Sequence, residues 1–180
     1  MPCAPQPEAH FGRVAVAGDT IAVGAPVADS TAMVADPKPG SGAVYVFSRE
    51  PDGWSQRARL EPSNPGAGDL FGFAVAVWND SIVVGACRED SAAKDAAGDQ
   101  ASDAATDAGA AYLFQNAGGT WTQRLYLKAN DADAHDSFGY SVTIDSGTIV
   151  AGAMGWDPKN AASAADDAFP RAKGAAYVIR

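Results

Sequence analysis

Carboxylates dominate the side chains in this sequence that could do chemistry. Glu89, Asp90, Asp95, Asp99, Asp103 and Asp107 fall within one alanine-rich stretch, and Asp157, Asp166 and Asp167 in a second near the C-terminus. Calcium is the chemistry that fits, because hard cations take about six to eight oxygen ligands and a carboxylate-rich loop can supply them. The closest alternate-position arrangement is Asp131-x-Asp133 with Asp136 following, and Asp99 and Asp103 are the candidates in the longer stretch. None of these has the central glycine that a tight calcium loop uses. Two other readings stand beside the metal. A spacing of four could set Asp95, Asp99, Asp103 and Asp107 on one face of a helix, although like charges at that spacing repel and Gly98 would cost about 1 kcal/mol. The plainest reading is a solvated acidic loop.

Other reactive groups are sparse. The two histidines, His10 and His135, lie just ahead of Phe-Gly pairs, where a packing role fits better than general-base work. No G-x-S-x-G elbow, H-E-x-x-H helix, phosphate-binding loop or C-x-x-C pair occurs, so the sequence predicts a protein that is not an enzyme. Cys3 and Cys87 are too few for a disulfide framework or a zinc site; they could pair with one another, but a free thiol or small buried hydrophobe fits each better. Asn79-Asp80-Ser81 is a glycosylation sequon set in a tight turn. Tyr45, Tyr112 and Tyr177, with Trp54 and Trp121, could stack on sugars as in a lectin, but their recurrence at strand positions points to core packing. A net charge of −9 opposes nucleic acid and anionic membrane surfaces. No apolar run reaches the length of a membrane span, and Met1 to Pro7 resembles no export signal, so neither insertion nor a leader is expected.

These residues must be held by a repeated framework. A Phe-Gly pair, a Gly-Ala pair and a Gly-Ala-x-Tyr strand recur in order three times. The first set is Phe11-Gly12, Gly24-Ala25 and Gly42 to Phe47; the second is Phe71-Gly72, Gly85-Ala86 and Gly109 to Phe114; the third is Phe138-Gly139, Gly152-Ala153 and Gly174 to Ile179. Units of this kind, none able to bury its apolar faces alone, indicate a stacked repeat architecture. With 19 Gly, 11 Pro and much of the apolar content in Ala and Val, short strands joined by tight turns are favoured over long helices.

Hairpins are predicted where Val14 to Ala17 runs through Gly18-Asp19 into Ile21 to Val23, with counterparts around Asn79-Asp80 and Ser146-Gly147. Their nearly continuous apolar character implies cover on both faces. Trp54 to Leu60 and Trp121 to Leu127 alternate Trp, Gln, Ala or Leu, and Leu with Ser, Thr and Arg, as in half-exposed outer strands. A ten-residue linker follows each, from Leu60 to Phe71 and from Leu127 to Phe138. Ten residues reach roughly 33 Å, and crossing back over four strands needs roughly 15 Å plus the step to the next sheet. The chain can therefore run outward through one propeller blade and return to begin another.

The order Phe-Gly, Gly-Ala-Pro, Gly-Ala-x-Tyr-Val-Phe and Trp-x-Gln-x-x-x-Leu resembles the FG-GAP repeat family, in its bacterial and environmental branch, and more distantly the β-propeller head of integrin α subunits. The likeness runs from about Phe11 to Arg180, and Gly98 to Asp103 ahead of Gly109 is similar to that branch's long loop. It departs where Cys87 and Met154 replace the proline present as Pro26. The resemblance implies an all-β chain of propeller blades in one domain over 1–180, with units near 11–60, 71–127 and 138–180. It also implies a non-enzymatic binding or adhesion scaffold outside the cell or at its surface, for a protein or glycan ligand. Integrin-like loops bind calcium through Asp or Asn at alternate positions around a Gly turn, a pattern these loops only partly follow.

The third unit reaches Arg180 without a Trp strand, which gives four, four and three strands. Three blades are fewer than a closed ring of this type needs, so the expectation is a fragment of a longer propeller or copies that associate to complete one.

Overall fold

The computed structural model describes residues 10–30, 38–156 and 173–180. Eleven strands and no helix are present among them. The first sheet contains β1 (Arg13–Ala17), β2 (Thr20–Ala25), β3 (Ala43–Glu50) and β4 (Gly53–Leu60) in chain order. The second repeats that order with β5 (Ala74–Trp78), β6 (Ser81–Ala86), β7 (Ala110–Ala117) and β8 (Thr120–Leu127). A third holds β9 (Phe138–Asp145), β10 (Thr148–Ala153) and β11 (Ala175–Ile179). All neighbours are antiparallel. The expected partial propeller of four, four and three strands is what the chain forms.

Local chemistry explains the meander. Gly18, Asn79 and Ser146 open the first hairpin of each sheet with φ of 54°, 48° and 49°, a region that Gly and Asn adopt readily and that matches the twist of a two-residue turn. The outer strands depart from simple alternation. The register slips between Val46 and Phe47 and, at the matching place, between Leu113 and Phe114, leaving Arg57 and Arg124 as extra bulge residues. Arg124 and Leu125 are consequently both exposed while Tyr126 and Leu127 are both buried, so the alternation expected for Trp121 to Leu127 is broken at its centre.

The sheets pack face to face through two cores. Ala22, Val44, Val46 and Leu60 of the first sheet meet Ile82, Val84, Tyr112, Phe114 and Tyr126 of the second, with Phe71 between them. On the other side Val83, Ala111, Leu113 and Leu127 meet Phe138, Ile144, Ile149 and Ala151 of the third. Successive residues of β6 thus point into different cores, and every residue of that strand is buried. This is why its sequence reads as an unbroken apolar run.

Each seam is also stitched through backbone. The amides of Gly68, Leu70 and Phe71 donate to the carbonyls of Pro39, Gly40 and Ser41 at 2.9, 3.2 and 2.8 Å. Those of His135, Ser137 and Phe138 repeat the pattern on Thr106, Asp107 and Ala108 at 2.8, 3.0 and 2.9 Å. The Phe-Gly pair of one unit therefore docks on the Gly-Ala segments of the unit before it. A Cβ on Gly24 or Gly85 would overlap the carbonyl of Gly72 or Gly139, so only glycine lets the sheets close to this distance.

Candidate functional site

The antiparallel meander sorts the connections by length. Gly18-Asp19, Pro51-Asp52, Asn79-Asp80, Gly118-Gly119 and Ser146-Gly147 close the hairpins at one end of the sheets. The β6–β7 connection, both ten-residue linkers and the strand ends that bound the β2–β3 and β10–β11 connections gather at the opposite end. Those of the acidic residues singled out from sequence that are described are carried at that long-loop end.

Beneath those loops lies a buried polar node. Glu89 is 2% exposed, and its carboxylate accepts hydrogen bonds from Tyr126 Oη at 2.9 Å, Asn64 Nδ2 at 3.1 Å and Lys128 Nζ at 2.6 Å. Asn64 Oδ1 in turn accepts from Tyr112 Oη at 3.0 Å. Burial pushes the Tyr112 and Tyr126 hydroxyls up, with the Glu89 charge adding to the effect, and pulls the Lys128 ammonium down against the opposing pull of Glu89. An ion pair this enclosed persists only because its remaining polar atoms are also bonded.

The third sheet builds a related node from different residues. Asp131 accepts from Tyr177 Oη at 2.7 Å and from Trp156 Nε1 at 3.0 Å. Asp131 stands where Asn64 stands, Tyr177 where Tyr112 stands, and Trp156 where Glu89 stands: Gly109 and Gly174 donate to the carbonyls of Glu89 and Trp156 in the same way. In the first sheet Arg59 Nε reaches Tyr45 Oη at 3.3 Å. Each strand tyrosine is anchored by a side chain from a linker or an outer strand.

The predicted metal residues are distributed among separate tasks. Asp131 holds Tyr177 and Trp156. Asp136 accepts the Asp133 amide at 2.8 Å, as Asp69 accepts the Gly66 amide at 2.8 Å, so both close the turn that leads into a Phe-Gly pair. Asp69 is 4% exposed, and burial pushes its carboxyl up to about 7, with the Gly66 amide opposing and the charges of Glu89, Asp90 and Asp103 reinforcing the shift. Asp95 and Asp99 accept amides two residues ahead, from Ala97 at 2.9 Å and Ala101 at 3.0 Å, while Asp103 is exposed. Among the described residues no group of three or more His, Cys, Asp or Glu is placed to hold a metal ion. The loop from Cys87 to Gly109 contains turns and no helix, so the helical alternative for Asp95 to Asp107 is replaced by successive side-chain-closed turns. Asp157, Asp166, Asp167 and Cys3 lie outside the described residues.

Of the aromatics that could stack on a sugar, Tyr112 and Tyr45 are buried and Trp121 packs on the first core, Tyr177 is half-buried, and Trp54 is exposed with the Arg49 guanidinium 5.0 Å from its ring centroid. Cys87 is a buried free thiol pushed up to about 11 by burial, a packing residue with little thiolate character. His10 and His135 are exposed and sit in left-handed backbone at φ of 44° and 68°, consistent with turn roles.

Compared with known families, residues 6–47, 54–114 and 121–179 each match the model of the FG-GAP repeat. The chain belongs to the FG-GAP repeat family. The second and third matched segments begin at β4 and β8, so each of these two FG-GAP matches takes the outermost strand of one sheet together with the inner strands of the next. That stagger ties neighbouring blades covalently as well as through the Phe-Gly seams. No curated protein matches the chain. No helix of the described residues is long and apolar enough to cross a membrane.

Two functional-looking residues escaped the sequence reading, Asn64 and Lys128. Each lies in a linker, and its partner is at least 25 residues away along the chain. Aligning the linkers on their Phe-Gly pairs would have placed Asn64 over Asp131 and Asp69 over Asp136, which marks these positions as shared framework.

Proposed function

We propose that this FG-GAP chain is a non-enzymatic binding scaffold, working outside the cell or at its surface, that presents its long-loop end to a partner. The observation that carries this reading is the segregation of connections. Every hairpin turn at one end has two residues, and at the other the β6–β7 connection and both linkers are long, contain turns closed by side chains and are mounted on sheets locked by backbone seams. Binding segments on a rigid framework commonly have this arrangement. The extracellular placement rests on family membership.

Charge narrows the partner. Asp95, Asp99, Asp103 and Asp133 are exposed on the loop end, where they favour a protein with a basic surface over an anionic one. A glycan ligand would need an open aromatic platform; Tyr45 and Tyr112 are buried, and the exposed Trp54 lies beside the Pro51-Asp52 turn, at the end opposite the long loops.

Replacing Asp95, Asp99 and Asp103 together by Asn tests the assignment. Against an array of extracellular proteins and glycans, the wild-type chain is expected to retain basic proteins in a salt-sensitive manner. The triple variant should lose that binding while keeping its melting temperature. Salt-insensitive glycan binding that survives the substitutions would replace the scaffold reading with a lectin.

A further inference from the structure

Each outer sheet has a face that no other sheet covers among the described residues, although Ala25, Ala43 and Tyr45 of the first sheet are buried there, and the two faces differ. The face of the first sheet carries Val14 and Val16, 64% and 65% exposed. Their counterparts in the second sheet, Val75 and Val77, pack toward the preceding blade. The face of the third sheet carries Val178, 61% exposed, whose counterparts Val46 and Leu113 lie in the two cores and face the following blade. One face is therefore shaped as the leading side of a seam and the other as the trailing side.

The trailing face contains a cavity of about 500 Å³ bounded by Tyr140, Ser141, Gly152, Met154, Gly174 and Ala176. In the other two sheets the matching space is filled. Gly72 lies against Gly24, Ala25 and Ala43, and Gly139 against Gly85 and Ala110. Gly152 stands where Gly24 and Gly85 stand, and Gly174 where Gly42 and Gly109 stand, yet no following Phe-Gly pair lies against either among the described residues. The cavity is a Phe-Gly socket.

The matching plug is Phe11-Gly12. Phe11 rests on Tyr45 with ring centroids 5.3 Å apart, the same separation as Phe71 on Tyr112 and Phe138 on Tyr177. The residue before each pair is left-handed, with φ of 44° at His10, 59° at Leu70 and 54° at Ser137. His10 and the Phe11 ring thus match the docked pairs although Phe11 is 46% exposed, whereas Gly12, with nothing within 4 Å of an added Cβ, lacks the left-handed backbone of Gly72 and Gly139 at φ of 91° and 81°. The preset His10 turn and Phe11–Tyr45 contact lower the entropic cost of association, and Gly12 completes the turn on docking.

The residue after each pair supplies the chemical match. The Arg13 guanidinium lies 4.7 Å from the centroid of the Phe73 ring, and Phe73 lies 5.0 Å from the Tyr140 ring, so the three form a column through the seams. Tyr140 ends the column and is 39% exposed. A further unit beginning with Arg13 would set a cation against that ring.

We propose that a second copy of this chain docks its Phe11-Gly12 into the socket on the third sheet, so that two chains join trailing face to leading face. The contact reproduces the internal seam: the Phe11 amide donates to the Lys173 carbonyl, the Gly12 carbonyl approaches Gly152, and Arg13 stacks on Tyr140. The contact is heterologous, and applied in both directions it joins two sets of three sheets.

Mixing two variants of the full chain tests this. Gly152→Val fills the socket; its backbone is not in the left-handed region, and an added Cβ meets only the rotatable Ser141 Oγ in its own sheet, at 2.5 Å. Val16→Asp charges the leading face at a residue already exposed, leaving the socket open. Sedimentation of wild type should show a dimer, and each variant alone should weaken association by at least about thirtyfold, the scale expected when the centre of an interface is disrupted. Equimolar mixing should restore a one-to-one pair, because one variant keeps its plug and the other its socket. Gly152→Ala, checked with the others by circular dichroism, serves if the valine variant does not fold. A wild-type chain that stays monomeric at high concentration, or variants that fail to complement while wild type dimerises, would overturn the proposal.

Discussion

Lys128 and Glu89 show how much depends on one enclosed pair of charges. Both side chains are essentially inaccessible, and Tyr126 and Asn64 complete the Glu89 carboxylate's bonds. Lys128→Met should lower unfolding free energy in urea by about 3 to 5 kcal/mol, because it strands a buried carboxylate, whereas the double change Lys128→Met with Glu89→Gln should cost much less. Equal losses in the two would show that the pair does not act as a unit. Asp69 makes an opposite kind of contribution. Its folded carboxyl is pushed up to about 7 and its unfolded value is near 3.8, so the folded state binds the proton more tightly. That stability is fully present below pH 4 and is lost as pH rises from about 4 to about 7. The loss is on the order of 4 kcal/mol if the whole shift is expressed. Asp69→Asn keeps an acceptor for the Gly66 amide and removes the titration. Urea midpoints at pH 5 and pH 7.5 should therefore fall less across that interval in the variant, and identical falls would show that Asp69 does not titrate there.

At the scale of strands and turns, the seam glycines decide whether sheets can meet. Gly85→Ala would drive a Cβ into the Gly139 carbonyl between the second and third sheets, with backbone on both sides and no flexible atom to move. The expected result is a loss above about 3 kcal/mol or failure to fold, read by thermal melting, while Gly152→Ala on the open face should change stability by less than about 1 kcal/mol. Comparable melting of the two would mean that the seam relaxes around an added methyl. Hairpins and sheet order were legible because turn chemistry and β-branched runs act over a few residues, as at Asn79-Asp80 between Val77 and Ile82. The bulges at Arg57 and Arg124 were not, since nothing in Gln-Arg-Ala or Gln-Arg-Leu distinguishes an extra residue from an ordinary outward one. The structural roles of Asp131 and Asp136 were hidden for the same reason: carboxylate spacing was visible, but their tyrosine, tryptophan and amide partners come from distant or backbone positions. The Phe-Gly and Gly-Ala motifs were visible as repeats long before their common purpose, one unit docking on the previous one, could be read.

Across the whole molecule, stability should be uneven, because a stacked array is held by each sheet's contacts with its neighbours. The second sheet has both faces covered, and β6 contributes to both cores. The first sheet has one seam plus a small cluster of Ala25, Ala28, Ala43 and Tyr45 on its other side, and the third has one seam and three strands. Opening an outer sheet breaks one seam; opening the middle sheet breaks two. Amide exchange should consequently be slowest in β6 and β7, at Val83, Val84 and Tyr112, and fastest in β1 and β11, with the third sheet opening at a lower free energy than the second. Hydrogen exchange followed by mass spectrometry, on peptides covering 81–86, 110–117, 13–17 and 175–179, measures this at a concentration where the chain is a monomer. Raising the concentration should then slow exchange selectively in 13–17 and 175–179 as the outer faces cover one another, leaving 81–86 unchanged. Uniform protection of all eleven strands in the monomer would instead make the three sheets a single cooperative unit, in which the open faces cost the fold nothing that the seams do not already recover.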